Sequence, residues 1–172
     1  ILLTGGTGFV GSALNEALKS QGHETVLLTR HDVPAPGAAL ATQWLDGIDV
    51  VVNMAGESIA GGRWTAAYKQ KIRDSRISLT RALAEACSAA AANGQPTPKV
   101  LVSFSAVGYY GTHPTQSFDE QSPAGDSWLC GVARDWEAAA ARVGEAGVRL
   151  VVLRLGVVLG PGGFLARWAA PF

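Results

Sequence analysis

Thr4-Gly5-Gly6-Thr7-Gly8-Phe9-Val10-Gly11 is the stretch that decides the fold. An apolar stub, Ile1-Leu2-Leu3, precedes it. A helical pattern follows, with Val10, Leu14, Ala17 and Leu18 spaced along one helical face. Strand, glycine turn and helix, in that order, form the context in which glycines at 5, 8 and 11 mark a dinucleotide site. Gly5 permits the tight turn, Gly8 lets backbone approach a pyrophosphate with no Cβ in the way, and Gly11 lets the helix pack close to the strand. The amides of Thr7, Gly8, Phe9, Val10 and Gly11, with the positive end of the helix dipole, would then meet the phosphates.

Downstream, strands and helices alternate as in a parallel sheet. Thr25 to Thr29 reads as a second strand, Asp49 to Met54 as a buried one, Lys99 to Ser105 as the next and Val148 to Leu153 as the last. Helices are expected from Thr65 to about Ala92, with Ile72, Leu79, Leu83, Ala86 and Ala90 on one face, and from Trp128 to about Gly144. Only 18 residues separate Arg30 from Asp49, where this fold usually fits a helix and a strand. Ala41 to Trp44 is therefore either a stunted third strand or a place where residues are missing. Right-handed crossovers predict a Rossmann-type doubly wound α/β sheet ordered 3-2-1-4-5-6, with the ligand above the carboxyl ends of its strands.

The 172 residues are one domain's worth of chain. Hydrophobic residues at 48% and charged residues at 16% fit a well-buried α/β protein and exclude a disordered one. Basic and acidic residues both number 14, so no cationic excess points to nucleic acid. Cys87 and Cys130 show neither metal-ligand spacing nor a secreted disulfide pattern, and no metal site is expected. The apolar run from Leu150 to Leu159 is too short to span a bilayer and carries Arg154. A soluble, cytoplasmic protein with no membrane partner is the expectation. The chain opens without methionine and stops at Pro171-Phe172 as a new apolar segment begins, so residues 1–172 read as the dinucleotide domain of a longer protein.

The nucleotide's identity turns on the end of the second strand. An acidic side chain there would hold the ribose 2′-hydroxyl of NAD, but the place is held by Thr29-Arg30. A guanidinium binds a 2′-phosphate through a fork of charged hydrogen bonds. The expected cofactor is NADP(H), with Asp32, two residues further on, as the competing acid.

These residues, with Asn53-Met54-Ala55-Gly56-Glu57, Ser105-Ala106-Val107-Gly108-Tyr109-Tyr110-Gly111 and Arg154-Leu155-Gly156-Val157-Val158-Leu159-Gly160, resemble an extended short-chain dehydrogenase/reductase. Ala55-Gly56-Glu57, Arg63-Trp64, Ser75-Arg76-Ile77 and Trp136-Glu137 narrow the likeness to an atypical branch, the epimerase family proteins, also called nucleoside-diphosphate-sugar epimerases. The resemblance implies that Asn53, Ala55 and Gly56 meet the adenine-ribose side of the cofactor and that Leu155 to Val158 run past the nicotinamide. Glu57 falls on the same side, to orient a polar substrate or to pair with Arg63. The family's C-terminal portion, with much of its substrate pocket, lies outside this sequence. Arg154 is either a structural arginine or a functional one. The family's dimers pair through the two long helices, which implies a homodimer here; burial against the sheet explains the same alanine-rich faces.

The superfamily's usual chemistry uses a Ser, a Tyr and a Lys: Tyr handles the proton, Lys lowers its pKa and Ser polarises the carbonyl. Ser105 matches the Ser. The Tyr-x-x-x-Lys pair is missing, and counting places Cys130 and Arg134 near its positions. Cys130 is a weak, short donor, and Arg134 is too basic to shuttle a proton, although it can contact ribose or phosphate. Tyr109 and Tyr110 are the nearest proton donors, or else they pack under their loop; His113 ranks third, and Trp136 and Glu137 read as anchors of helix to sheet. Two functions follow: an NADP(H)-dependent oxidoreductase or epimerase-like enzyme on a small carbonyl or sugar-like substrate, or a protein that holds NADP(H) without turnover.

Overall fold

A short apolar strand, β1 (Leu2–Thr4), runs inside a parallel sheet, next to its edge strand, and feeds the glycine turn. The computed structural model describes residues 1–35, 37–160 and 163. After the turn come α1 (Phe9–Ser20), β2 (Val26–Leu28), β3 (Val50–Asn53), α2 (Ala66–Ala92), β4 (Val100–Ala106), α3 (Trp128–Ala141) and β5 (Arg149–Leu155). The sheet order is β2-β1-β3-β4-β5, every pair parallel. Chain reversal at β1, with β2 on one side and β3 on the other, makes the doubly wound switch point expected over its carboxyl end.

Among the described residues no strand forms outside β2. Residues Thr42–Leu45 make a 3-10 turn, so the stunted third strand is corrected to a short crossing segment. Its apolar residues explain why. Leu40, Leu45 and Ile48 are buried together in the main core, a spacing that drops side chains one way and does not alternate them as a strand must.

α2 starts at Thr65, whose hydroxyl accepts from the Tyr68 amide at 3.2 Å, and α3 starts at Ser127, which accepts from the Cys130 amide at 3.2 Å. Ile72, Leu79, Leu83, Ala86 and Ala90 of α2 are all buried, as the periodicity predicts. Leu79, Leu83, Ala86 and Ala90 pack with Leu2, Leu28, Val51 and Leu101 of the sheet and with Ala140 and Val143. α1 lies less deeply: Gly11 is its one buried residue, and Ala17, expected inward, is exposed. α3 stops at Ala141, short of the expected Gly144, and continues as the 3-10 turn Arg142–Ala146 ending at Gly147. Among the described residues no helix is long and apolar enough to cross a membrane. The expected apolar segment before Pro171-Phe172 lies outside the described residues.

Candidate functional site

The β1–α1 turn is shaped by what its glycines leave out. Gly5 has φ +69°, and a Cβ there would sit 2.9 Å from the Ala55 amide nitrogen. A Cβ on Gly11 would lie 2.2 Å from the Gly5 carbonyl oxygen, inside any allowed contact. The Gly8 amide closes the turn by donating to the Gly5 carbonyl at 3.0 Å. α1 then begins with no side-chain cap and no acidic residue in its first turn. Its leading amides and dipole are thus offered outward, an arrangement suited to an anion.

A buried polar hub fixes the facing wall. Thr4, fully buried, donates to the Asn53 side-chain oxygen at 2.8 Å and accepts from the amides of Met54 and Ala55, each at 3.1 Å. Asn53 in turn donates to Thr80 at 2.7 Å, and the Trp136 indole donates to the same Thr80 oxygen at 2.9 Å. Among the described residues no buried side-chain nitrogen or oxygen lacks a partner, so the network holds the ends of β1 and β3 against α2 and α3 without stranding a side-chain donor. Asn53, expected at the cofactor, is a member of this hub and does not line the cleft.

Between turn and wall lies a cleft of about 830 Å³ at the carboxyl ends of the strands. Gly5, Thr7, Gly8, Phe9, Val10 and Gly11 line one side of it; Arg30, Ala55, Gly56 and Glu57 line the next, and Leu155 with Phe104 lies at the far end. Asp32 is folded back on its own turn, accepting from the Thr29 amide at 2.9 Å and the Thr29 hydroxyl at 2.6 Å. These bonds hold its carboxyl below the usual range. Glu57 does not pair with Arg63: its carboxylate lies 3.0 Å from Lys71 and 4.0 Å from Arg30. The Lys71 hydrogen bond keeps its pKa low. Sequence reasoning missed Lys71 and Ser75, which line the cleft, and Arg76 behind it. Arg76 donates to the Ile72 carbonyl and lies over Trp136, and burial pulls its pKa down. The Ser75-Arg76-Ile77 motif was the available signal.

A second constellation sits where β4 and β5 end, with Ser105 and Arg154 in register. The Arg154 guanidinium forks onto Glu137 of α3 at 2.9 and 2.8 Å. Its remaining nitrogen donates to the Tyr110 hydroxyl at 2.7 Å and the Glu120 carbonyl at 3.0 Å, and the Tyr109 ring lies 3.7 Å beneath it. Glu137 holds the arginine's pKa above its ordinary value. Ser105 donates to Glu137 at 2.5 Å, so its proton is already committed. Tyr110 accepts from Arg154 while its own proton has no acceptor among the described residues. Tyr109, Tyr110 and Ser105 are thereby brought together, with Arg154 and Glu137 between them.

Cys130 and Arg134 do not take up the vacant Tyr and Lys roles side by side. Cys130 is fully buried against Ser127. Arg134 is exposed, 3.6 Å from Asp135, in a separate hollow of about 330 Å³ with Arg73 and Trp128. His113 is exposed and accepts from the Gln116 amide within its own loop. Among the described residues no cluster of three or more His, Cys, Asp or Glu is placed to hold a metal.

The bovine epimerase family protein SDR39U1 is 41% identical over 170 residues, covering 95% of this chain and 55% of that protein. The Arabidopsis thaliana chloroplastic homolog is 38% identical, covering 100% and 52%. The chain therefore spans about half the length of the curated relatives it matches. Among solved structures, human SDR39U1 (isoform 2) with NADPH superposes with a TM-score of 0.80 at 35% identity, over 99% of this chain and 58% of that one. The nucleoside-diphosphate sugar epimerase of Corynebacterium glutamicum gives 0.77 at 35% identity, over 97% and 36%. Residues 1–171 match one family profile, and the chain belongs to the NAD dependent epimerase/dehydratase family.

Proposed function

We propose that this chain is the NADP(H)-binding part of an oxidoreductase or epimerase-like enzyme acting on a small carbonyl or sugar-like substrate. The observation that carries the reading is the cleft itself. An uncapped helix start faces it from a glycine turn, and Arg30 stands at the end of β2 where an acid would select NAD. The human relative, solved with NADPH, supports the same cofactor. Thr7 to Gly11 would hold the diphosphate, Arg30 the 2′-phosphate, and Ala55 and Gly56 the adenosine side; the cofactor, when bound, supplies or accepts a hydride.

The proton is the task of the Arg154 cluster. Tyr110 is the proposed donor: its hydroxyl accepts from Arg154, leaving its own proton for a substrate oxygen, and the guanidinium faces the charge left behind. Tyr109 supports the guanidinium from below. Ser105 would polarise a carbonyl only by turning away from Glu137, giving up a charge-assisted bond.

That commitment of Ser105, with the missing Tyr-x-x-x-Lys pair, favours a second reading: an NADP(H)-holding protein without turnover. Stopped-flow oxidation of bound NADPH against a panel of aldehydes, ketones and 4-ketosugars separates the two. The enzyme reading expects at least one carbonyl to accelerate oxidation and Tyr110→Phe to abolish the effect. Acceleration by none leaves the binding reading. Titration with both nucleotides tests the cofactor: Arg30→Ala should weaken NADPH about 10- to 100-fold, the worth of hydrogen bonds to a charged group, and spare NADH.

A further inference from the structure

Three charges stand in a row on the cleft wall that faces the adenosine end: Arg30, Glu57 and Lys71, positive, negative, positive. Their bonding is unequal. Lys71 holds the Glu57 carboxylate at 3.0 Å, whereas Arg30 stands off at 4.0 Å with its side chain 84% exposed. Glu57 is fixed from behind, because its amide donates to Ser75 at 2.9 Å, and its side chain is only 18% exposed. Lys71 keeps the carboxyl below the ordinary range, so it is charged at neutral pH. The other acids nearby are occupied: Asp32 by Thr29 and Asp74 by the Gln70 amide at 2.7 Å. Among the described residues Glu57 is the carboxylate that lies 4.0 Å from Arg30.

We infer that the Glu57–Lys71 pair, and not Arg30 alone, sets the preference between the phosphorylated and the unphosphorylated dinucleotide; this rests on the cofactor reading above. A carboxylate beside the ribose accepts from a 2′-hydroxyl, the role that an acid at the end of β2 fills in NAD-binding sites. Here the acid arrives from the neighbouring strand's loop. A 2′-phosphate seated on the exposed guanidinium of Arg30 must lie beside the Glu57 charge. Lys71 offsets the repulsion by keeping Glu57 to itself and by adding a second cation to the wall. Glu57 thus works for the free ribose and Lys71 for the phosphorylated one. The looser 4.0 Å contact is the one that opens, while the tighter 3.0 Å contact persists.

The two residues make opposite predictions, which fluorescence titration of NADPH and NADH reads directly in the protein and in each single variant. Glu57→Gln should tighten NADPH about five-fold and weaken NADH about five-fold, the scale of one charge–charge or charge-assisted term near a solvated surface. Lys71→Gln should weaken NADPH by about the same factor and leave NADH within about two-fold. Equal changes for both nucleotides in Glu57→Gln, or none in either variant, would overturn the inference while leaving the cofactor reading intact. A wild-type protein that binds neither nucleotide would instead sink the cofactor reading itself.

Discussion

Thr4→Val tests whether the cleft's geometry depends on one buried hydroxyl. The substitution keeps the shape and removes the hydroxyl, which makes three hydrogen bonds in a fully buried position. Not all three are lost equally. The Met54 amide also lies 3.3 Å from the Thr4 carbonyl and keeps that partner. The Ala55 amide has no such second bond, but Ala55 is half-buried, so its loss falls at the low end of the range for an unsatisfied group, about 1 kcal/mol. The Asn53 oxygen is left buried and unpaired, at about 2 kcal/mol. The sum, about 3 kcal/mol, corresponds to a fall in Tm of about 6–12 °C for a chain this size. Thr4→Ser keeps the hydroxyl and should cost only about 1 kcal/mol for one buried methyl. Urea denaturation of both variants measures the two costs, and NADPH titration in parallel should weaken only in Thr4→Val, where the 54–57 wall has lost its anchor. A valine variant as stable as the serine one would refute the reasoning.

Gly11→Ala places a Cβ 2.2 Å from the Gly5 carbonyl oxygen, so α1 must shift; nucleotide titration should show binding lost by at least about 100-fold, with much of the sheet's circular dichroism retained. Glu137→Gln and Arg154→Met should each destabilise by about 3 kcal/mol, because each leaves a partly buried charge unpaired, and the double variant should cost less than their sum in chemical denaturation. Burial pushes the Cys87 thiol from 9.0 up to about 11. A folded pKa above the unfolded one gives stability that is complete below pH 9 and lost as pH rises towards 11. Melting curves across that window should therefore fall more steeply for the wild type than for Cys87→Ala.

The fold was legible where local rules and the global plan agree. Glycines at 5, 8 and 11 between an apolar strand and an amphipathic helix have one economical arrangement, and α2's apolar face follows from its 3.6-residue period. The segment from 41 to 44 was ambiguous because Ala41-Thr42-Gln43-Trp44 alternates too poorly to tell a strand from a turn, and only the usual place of a third strand suggested one. Only the core that Leu40, Leu45 and Ile48 enter together decides between them. Ala17 shows the opposite limit: it has the right phase on α1, yet that helix rests on the sheet too lightly to cover it.

The site was legible in its residues and less so in their partners. Glu137 and Arg154 were both singled out, but their contact joins a helix to a strand edge, and no sequence interval encodes it. Helical phase could have found half of it. At about 100° per residue, position 137 returns to within about 20° of Cys130, whereas 134 lies about 40° off on the other side. Counting residues to find a replacement for the missing lysine therefore leads to Arg134, which points into solvent. Following the buried face from Cys130 leads to Glu137, which meets Ser105. The same correction applies to Arg63 and Lys71 as partners of Glu57. Arg63 is near in sequence but lies before α2 begins, whereas Lys71 stands about one and a half turns into α2, on the side that returns to the cleft. In both cases the helical phase of the partner, and not its distance along the chain, decides which charged residue reaches the site.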